Sequence, residues 1–150
     1  MDDDSRLIAC MRYLESWHRV DNIYKSYVKS VGLNYSAMQI LKLLRNTKEV
    51  YSQKCLCEKL GLPKQLIYTH IKSFWKQGYV ELKEAEDRRN KEIILTPKGS
   101  KYIEEILMPL NNAEKNTWGN FTIEEILDFA EKMEKYEKHL ESNINNLQAD

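Results

Sequence analysis

Three cysteines, three histidines, three prolines and five glycines are all that this chain of 150 residues has of the types that staple, ligate or break a fold. Cys10, Cys55 and Cys57 are odd in number, which argues against a disulfide framework. Cys55-Leu56-Cys57 has the wrong spacing for half of a zinc site, and no second half follows. His18, His70 and His139 lie far apart in the sequence. No metal and no cofactor is expected. No apolar run approaches the roughly 20 residues that cross a bilayer. The start, Met1-Asp2-Asp3-Asp4, is acidic, the opposite of a secretory n-region. A cytoplasmic protein without membrane contact is therefore expected. A glycine-rich phosphate loop, carboxylates paired in an apolar cleft pattern and a nucleophile–base signature are all missing, so an enzyme is not expected.

What is present is charge and helix. Apolar residues make up 42% and charged residues 31%, which suits a helix-rich chain with solvated outer faces. The net charge of zero hides an asymmetry. Residues 42–101 carry 14 lysines and arginines against 7 acids, whereas residues 102–150 carry 4 against 11. A basic middle beside an acidic end points to a polyanionic partner.

Apolar periodicity divides the chain into one set of elements. Residues 5–31 carry Leu7, Cys10, Met11, Leu14, Trp17, His18, Tyr24, Tyr27, Val28 and Val31 at steps of three and four, a long helix. Asp4 or Ser5 can cap it, and Gly32 ends it. Met38, Ile40, Leu41, Leu43 and Leu44 mark a second helix. Its N-cap is Asn34 or Ser36, the latter with Gln39 at capping-box spacing. A short third helix is expected from about Ser52 to Leu60, broken by Gly61. Pro63 then opens a fourth, whose inward stripe is Ile67, Ile71 and Phe74 and whose end is Gly78.

The period then changes. Residues 79–83 and 92–95 read as strands, joined by a charged tip over residues 84–91. Thr96-Pro97 starts a fifth helix, which Pro109 should kink or end. Thr122-Ile123-Glu124-Glu125 is a capping box for a last helix. Its apolar residues at 126, 130, 133, 140, 144 and 147 follow a heptad seam, interrupted where Glu137 falls.

The expected fold is therefore mainly α with a small β-hairpin wing. Two helices around a glycine turn, followed by a hairpin, make a winged helix-turn-helix. The second helix of such a pair fits a DNA major groove about 12 Å wide, and the hairpin reaches the neighbouring minor groove. With Ile67, Ile71 and Phe74 inward, the fourth helix turns Lys64, Gln65, Tyr68, Thr69 and Lys72 outward. That set offers cations for phosphates, an amide for adenine edges, and a hydroxyl with a methyl. Arg88, Arg89 and Lys91 crowd the wing tip, with Asp87 beside them.

Asp87-Arg88-Arg89 followed by Ile94-Leu95-Thr96-Pro97-Lys98-Gly99 resembles the wing and following helix start of the MarR family of bacterial regulators, which read approximately D-x-R and then L-T-x-x-G. Leu56, Leu60, Gly61, Leu62, Ile67, Ile71 and Gly78 fall where that family's helix-turn-helix has its apolar and glycine positions. Residues 122–147 resemble its dimerisation helix. The resemblance covers nearly the whole chain. It implies one domain over residues 1–150, with a DNA-binding lobe at about 34–99 and a helical dimerisation region at about 5–31 and 97–147. It also implies a homodimer that binds an inverted repeat in double-stranded DNA and regulates transcription. Arg89 would be the minor-groove arginine, and Asp87 would orient the wing by pairing with an arginine. Two departures stand out. Pro63 replaces a frequent serine, and the recognition helix has lysines but no arginine, so bidentate guanine readout is not assured.

Such regulators often respond to a small aromatic ligand or an oxidant. The candidate residues are Cys10, Tyr13, Trp17 and Tyr24. Cys10 and Tyr24 stand where the peroxide-sensing branch has its cysteine and a tyrosine, but Leu14 replaces a second tyrosine. Aromatics at helical spacing more often mark core or dimer packing than a pocket, and a cysteine such as Cys10 is more often a small apolar core residue. Cys57 is expected to be structural filler. The competing reading is a winged-helix protein-interaction module without effector or DNA specificity. Arg88, Arg89 and Lys91 favour DNA.

Overall fold

The computed structural model describes residues 2–46, 48–86 and 90–148. The described residues form the helices α1 (Asp2–Ser30), α2 (Tyr35–Leu44), α3 (Gln53–Leu60), α4 (Lys64–Lys76), α5 (Pro97–Trp118) and α6 (Ile123–Gln148). The strands are β1 (Tyr51–Ser52), β2 (Val80–Lys83) and β3 (Glu92–Leu95). The mainly helical expectation is met. The strands form an antiparallel sheet in the order β1-β3-β2. Val80 pairs with Leu95 and Lys83 with Glu92, so the hairpin is in register from base to tip. β1 is an addition to the expected hairpin: Tyr51 pairs with Ile93 on the hairpin's other edge.

Local chemistry accounts for most boundaries. Asn34 caps α2, its side-chain oxygen accepting from the Ala37 N–H at 2.9 Å, which decides between the two candidates. Ser52 caps α3 through the Cys55 N–H. α4 ends in a Schellman motif. Gly78 N–H donates to Trp75 O and Tyr79 N–H to Phe74 O, which requires the left-handed φ of +75° that Gly78 adopts. Pro63 takes the N-cap position of α4, one residue earlier than expected, and makes no side-chain cap bond because it has no polar side-chain atom. α1 starts at Asp2, ahead of the expected cap.

The chain divides into two compact units, Met1–Leu107 and Met108–Asp150. In the first, Met38, Ile40 and Leu41 of α2, Leu56 of α3, Ile67, Ile71 and Phe74 of α4, and Ile103 and Leu107 of α5 are buried. Tyr51, Val80 and Ile93 bring the sheet into the same core. Tyr27 ties α1 to α5, its hydroxyl donating to Ile106 O at 2.6 Å. Pro109 does not end α5, which runs on to Trp118.

In the second unit, the turn before α6 closes with the expected capping box. Thr122 N–H donates to Glu125 Oε2 at 2.8 Å, and Glu125 N–H donates to Thr122 Oγ1 at 3.1 Å. Trp118 packs against Phe121 and Phe129 across that turn.

The long helices leave apolar surface uncovered. Leu7, Ile8, Met11, Leu14, Trp17, Val20 and Ile23 of α1 are each 50–69% exposed. On α6, Leu127, Tyr136, Leu140, Ile144 and Leu147 are also exposed. No helix among the described residues is long and apolar enough to cross a membrane.

Candidate nucleic-acid interface

Burial sorts α4 into two faces. Ile67 and Ile71 are fully buried and Phe74 nearly so, while Lys64, Gln65, Tyr68, Thr69 and Lys72 are all exposed. Two local contacts shape that outer face. Thr69 donates its hydroxyl proton to Gln65 O at 2.8 Å, within the helix. Its oxygen is then free to accept, and its methyl completes the group. The Lys72 ammonium lies 5.6 Å from the Tyr68 ring, a cation–π contact that gathers both side chains on one side. The helix macrodipole adds partial positive charge at the Lys64 end.

Beside that end lies an open cleft of about 400 Å³, lined by Gln53, Lys54, Cys57, Glu58, Lys64, Asn90 and Lys91. It joins α3, the start of α4 and the descending arm of the hairpin. Its three lysines outnumber its one acid, and that acid, Glu58, is 3.9 Å from Lys54. Cys57, expected as filler, is half-buried and lines this cleft. Lys91 is exposed, one residue before β3 at the tip end of the hairpin. Asp87, Arg88 and Arg89 lie outside the described residues.

The wing's anchorage has a clear physical basis. Thr96 Oγ1 lies 2.7 Å from Gly78 O, to which it donates, and accepts from the Gly99 N–H at 2.9 Å. Thr96 N–H donates to Tyr79 O at 3.0 Å. This draws α5 so close to Tyr79 that a Cβ on Gly99 would stand 1.9 Å from Tyr79 O. The L-T-x-x-G pattern is thus a close backbone approach that locks hairpin, α4 end and α5 start together. Tyr79 stacks on Tyr102 at 4.0 Å, and Lys98 covers Tyr79.

Two polar groupings in this lobe have no counterpart in the sequence reading. His70, on the inner side of α4 and 9% exposed, has its Nε2 2.8 Å from Ser36 Oγ. Burial lowers its pKa below the usual histidine value. Lys59 pairs with Glu49 at 2.9 Å beside the buried Tyr51. That pairing lowers the Glu49 pKa and raises that of Lys59, while burial raises the Tyr51 pKa. Both groupings depend on partners far off in sequence or in loops, so no periodicity announces them.

The candidate effector residues do not gather in one chain. Cys10 is exposed, Tyr13 and Trp17 have ring centroids 6.2 Å apart, and Tyr24 stands beneath the Lys42 ammonium. All four lie on α1, where Cys10 and Tyr24 are about 21 Å apart along the axis. A shallow groove on α1 includes Tyr13 with Ser5, Ile8 and Arg12 but none of the other three. Among the described residues there is no group of three or more histidines, cysteines or acids able to hold a metal.

No protein-family model matches the chain. Its sequence is 30% identical over 139 residues to the HTH-type transcriptional regulator SarZ of Staphylococcus saprophyticus, covering 90% of this chain and 92% of that one. Among solved structures, a MarR family regulator from Neisseria meningitidis superposes with a TM-score of 0.76 at 23% identity, covering 90% of this chain and 95% of the other. The S. aureus MepR–DNA complex matches with a TM-score of 0.68 at 14% identity, covering 87% and 96%.

Proposed function

The chain belongs to the MarR family of winged helix-turn-helix transcriptional regulators, and on that premise we propose that it is a non-enzymatic, cytoplasmic regulator that binds double-stranded DNA as a homodimer. The observation that carries this is the two-faced α4. Its inner stripe is fully buried, and every one of its five candidate contact residues is exposed on the other side. Residues of about 34–99 form the DNA-binding lobe. Lys64 and Lys72 neutralise phosphates, as do the cleft lysines. Gln65, Tyr68 and Thr69 address base edges and thymine methyls. Asp87, Arg88, Arg89 and Lys91 serve the minor groove from the wing.

The dimer follows from the uncovered apolar stripes. Monomeric proteins rarely expose contiguous patches of this extent. The helical region of about 5–31 and 97–147 buries its stripes against a second copy around a two-fold axis. The response to a small aromatic ligand or an oxidant remains part of the proposal, with Cys10, Tyr13, Trp17 and Tyr24 as its residues. A site that uses both Cys10 and Tyr24 has to draw them from different copies, given their separation along one helix.

The test is a titration of labelled duplex DNA at several salt concentrations. Binding should weaken steeply with salt, and Lys64→Ala and Lys72→Ala should each flatten the log–log slope by about one unit. Salt-independent binding, or slopes that neither change alters, would remove the phosphate role from α4.

A further inference from the structure

The hydrogen bonds around the N-terminus of α2 have a forced polarity. Ala37 N–H donates to the Asn34 side chain, and an amide can accept only through its oxygen, so the backbone fixes which way Asn34 points. Ser36 Oγ lies 2.8 Å from that same Oδ1. Since Oδ1 cannot donate, the single Ser36 proton goes to it. His70 Nε2 lies 2.8 Å from Ser36 Oγ, which has no second proton to give. His70 is therefore the donor, and its proton sits on Nε2. The chain runs one way: His70 Nε2–H to Ser36, and Ser36 O–H to the cap of α2.

His70 belongs to α4 and sits at its middle, between the buried Ile67 and Phe74. Those apolar neighbours hold α4 against the core, but apolar contact is not directional and permits the helix to roll. A hydrogen bond to a fixed acceptor does not. We propose that His70 is a positioning residue for DNA recognition: by donating through Ser36 to the Asn34 cap, it fixes the roll of α4 and so aims Gln65, Tyr68 and Thr69. This rests on the reading of α4 as the helix that reads bases. His70 itself touches no DNA.

Two measurements test it. First, nitrogen-15 NMR of the histidine ring at neutral pH should show the proton of His70 on Nε2. A proton on Nδ1 would break the chain and overturn the inference. Second, affinity is measured for a duplex selected by the wild type and for a scrambled duplex. The variants are His70→Leu, His70→Asn, His70→Gln and Ser36→Ala, with melting followed for each. Glutamine can bring an N–H to the place of histidine Nε2, while asparagine is too short.

The preference for the selected duplex should fall by about five- to tenfold in His70→Leu, His70→Asn and Ser36→Ala, the scale of one hydrogen bond. His70→Gln should stay within about twofold of the wild type. A full preference retained in His70→Leu and Ser36→Ala overturns the positioning role. So does a loss shared equally by both duplexes, which marks a folding defect instead. A wild type that prefers no sequence overturns the reading of α4 itself, a separate result.

Discussion

At the scale of single residues, the sharpest constraint is Gly99. Its absent Cβ leaves room for Tyr79 O, a backbone atom that Thr96 also holds, so neither side can give way freely. Gly99→Ala should cost about 1–3 kcal/mol of stability, as overpacking does elsewhere, and lower the melting temperature by several degrees. A melt unchanged from the wild type would mean that α5 and Tyr79 separate easily. His70 gives a pH signature. Its folded pKa lies below its unfolded value because burial disfavours the cation. The unfolded chain then binds the proton more readily, so stability is full above about pH 6.5 and falls as pH drops through that value. The loss stops growing once pH is below the folded pKa. Between pH 7.5 and pH 5.5 the wild type should lose more melting temperature than His70→Gln, and equal losses would contradict the burial cause. Arg89→Ala should weaken DNA binding by about 1–3 kcal/mol while leaving melting unchanged, as expected for an arginine in a charged sequence segment that contacts DNA and not the core. Equal affinity for the two proteins would take Arg89 out of the interface.

At the scale of elements, caps and periods made most of the fold legible. Gly61 and Gly78, the Thr122 capping box and the Ile67, Ile71 and Phe74 stripe each mark an element that is present. β1 was not legible, because two residues are too few to show a strand period and their pairing with β3 is long-range. Ser52 was legible as a helix start but not as a strand end. The exposed set on α4 followed directly from its buried stripe. The His70–Ser36 contact did not, since it joins residues 34 positions apart on two helices. On α6, the gap that Glu137 leaves in the heptad pattern is filled by Tyr136, which is exposed on the path from Met133 to Leu140. Steps of three and four then run unbroken from Ile126 to Leu147. A charge placed on that stripe should be far more costly to assembly than to the helix. Leu140→Asp should shift light scattering from twice the 17.8 kDa chain mass to the single mass, with helical circular dichroism largely kept. A variant that keeps the doubled mass would remove α6 from the dimer interface.

At the scale of the whole molecule, the charge asymmetry and the proposed two-fold dimer lead to one geometric expectation. The basic stretch carries the helix-turn-helix and wing, and the acidic stretch carries α6. In such a dimer, two-fold symmetry would set two copies of α4 about 34–36 Å apart, one turn of duplex. Each copy would then present the same reading residues in opposite orientation along the DNA. The most direct measurement is selection from a pool of random duplexes, carried out with the wild type and with Gln65→Ala. The wild type should enrich an inverted repeat with half-site centres about 10 base pairs apart, and Gln65→Ala should enrich the same spacing with a blurred half-site. Enrichment of no inverted repeat by the wild type would contradict the account of a symmetric dimer reading DNA through α4.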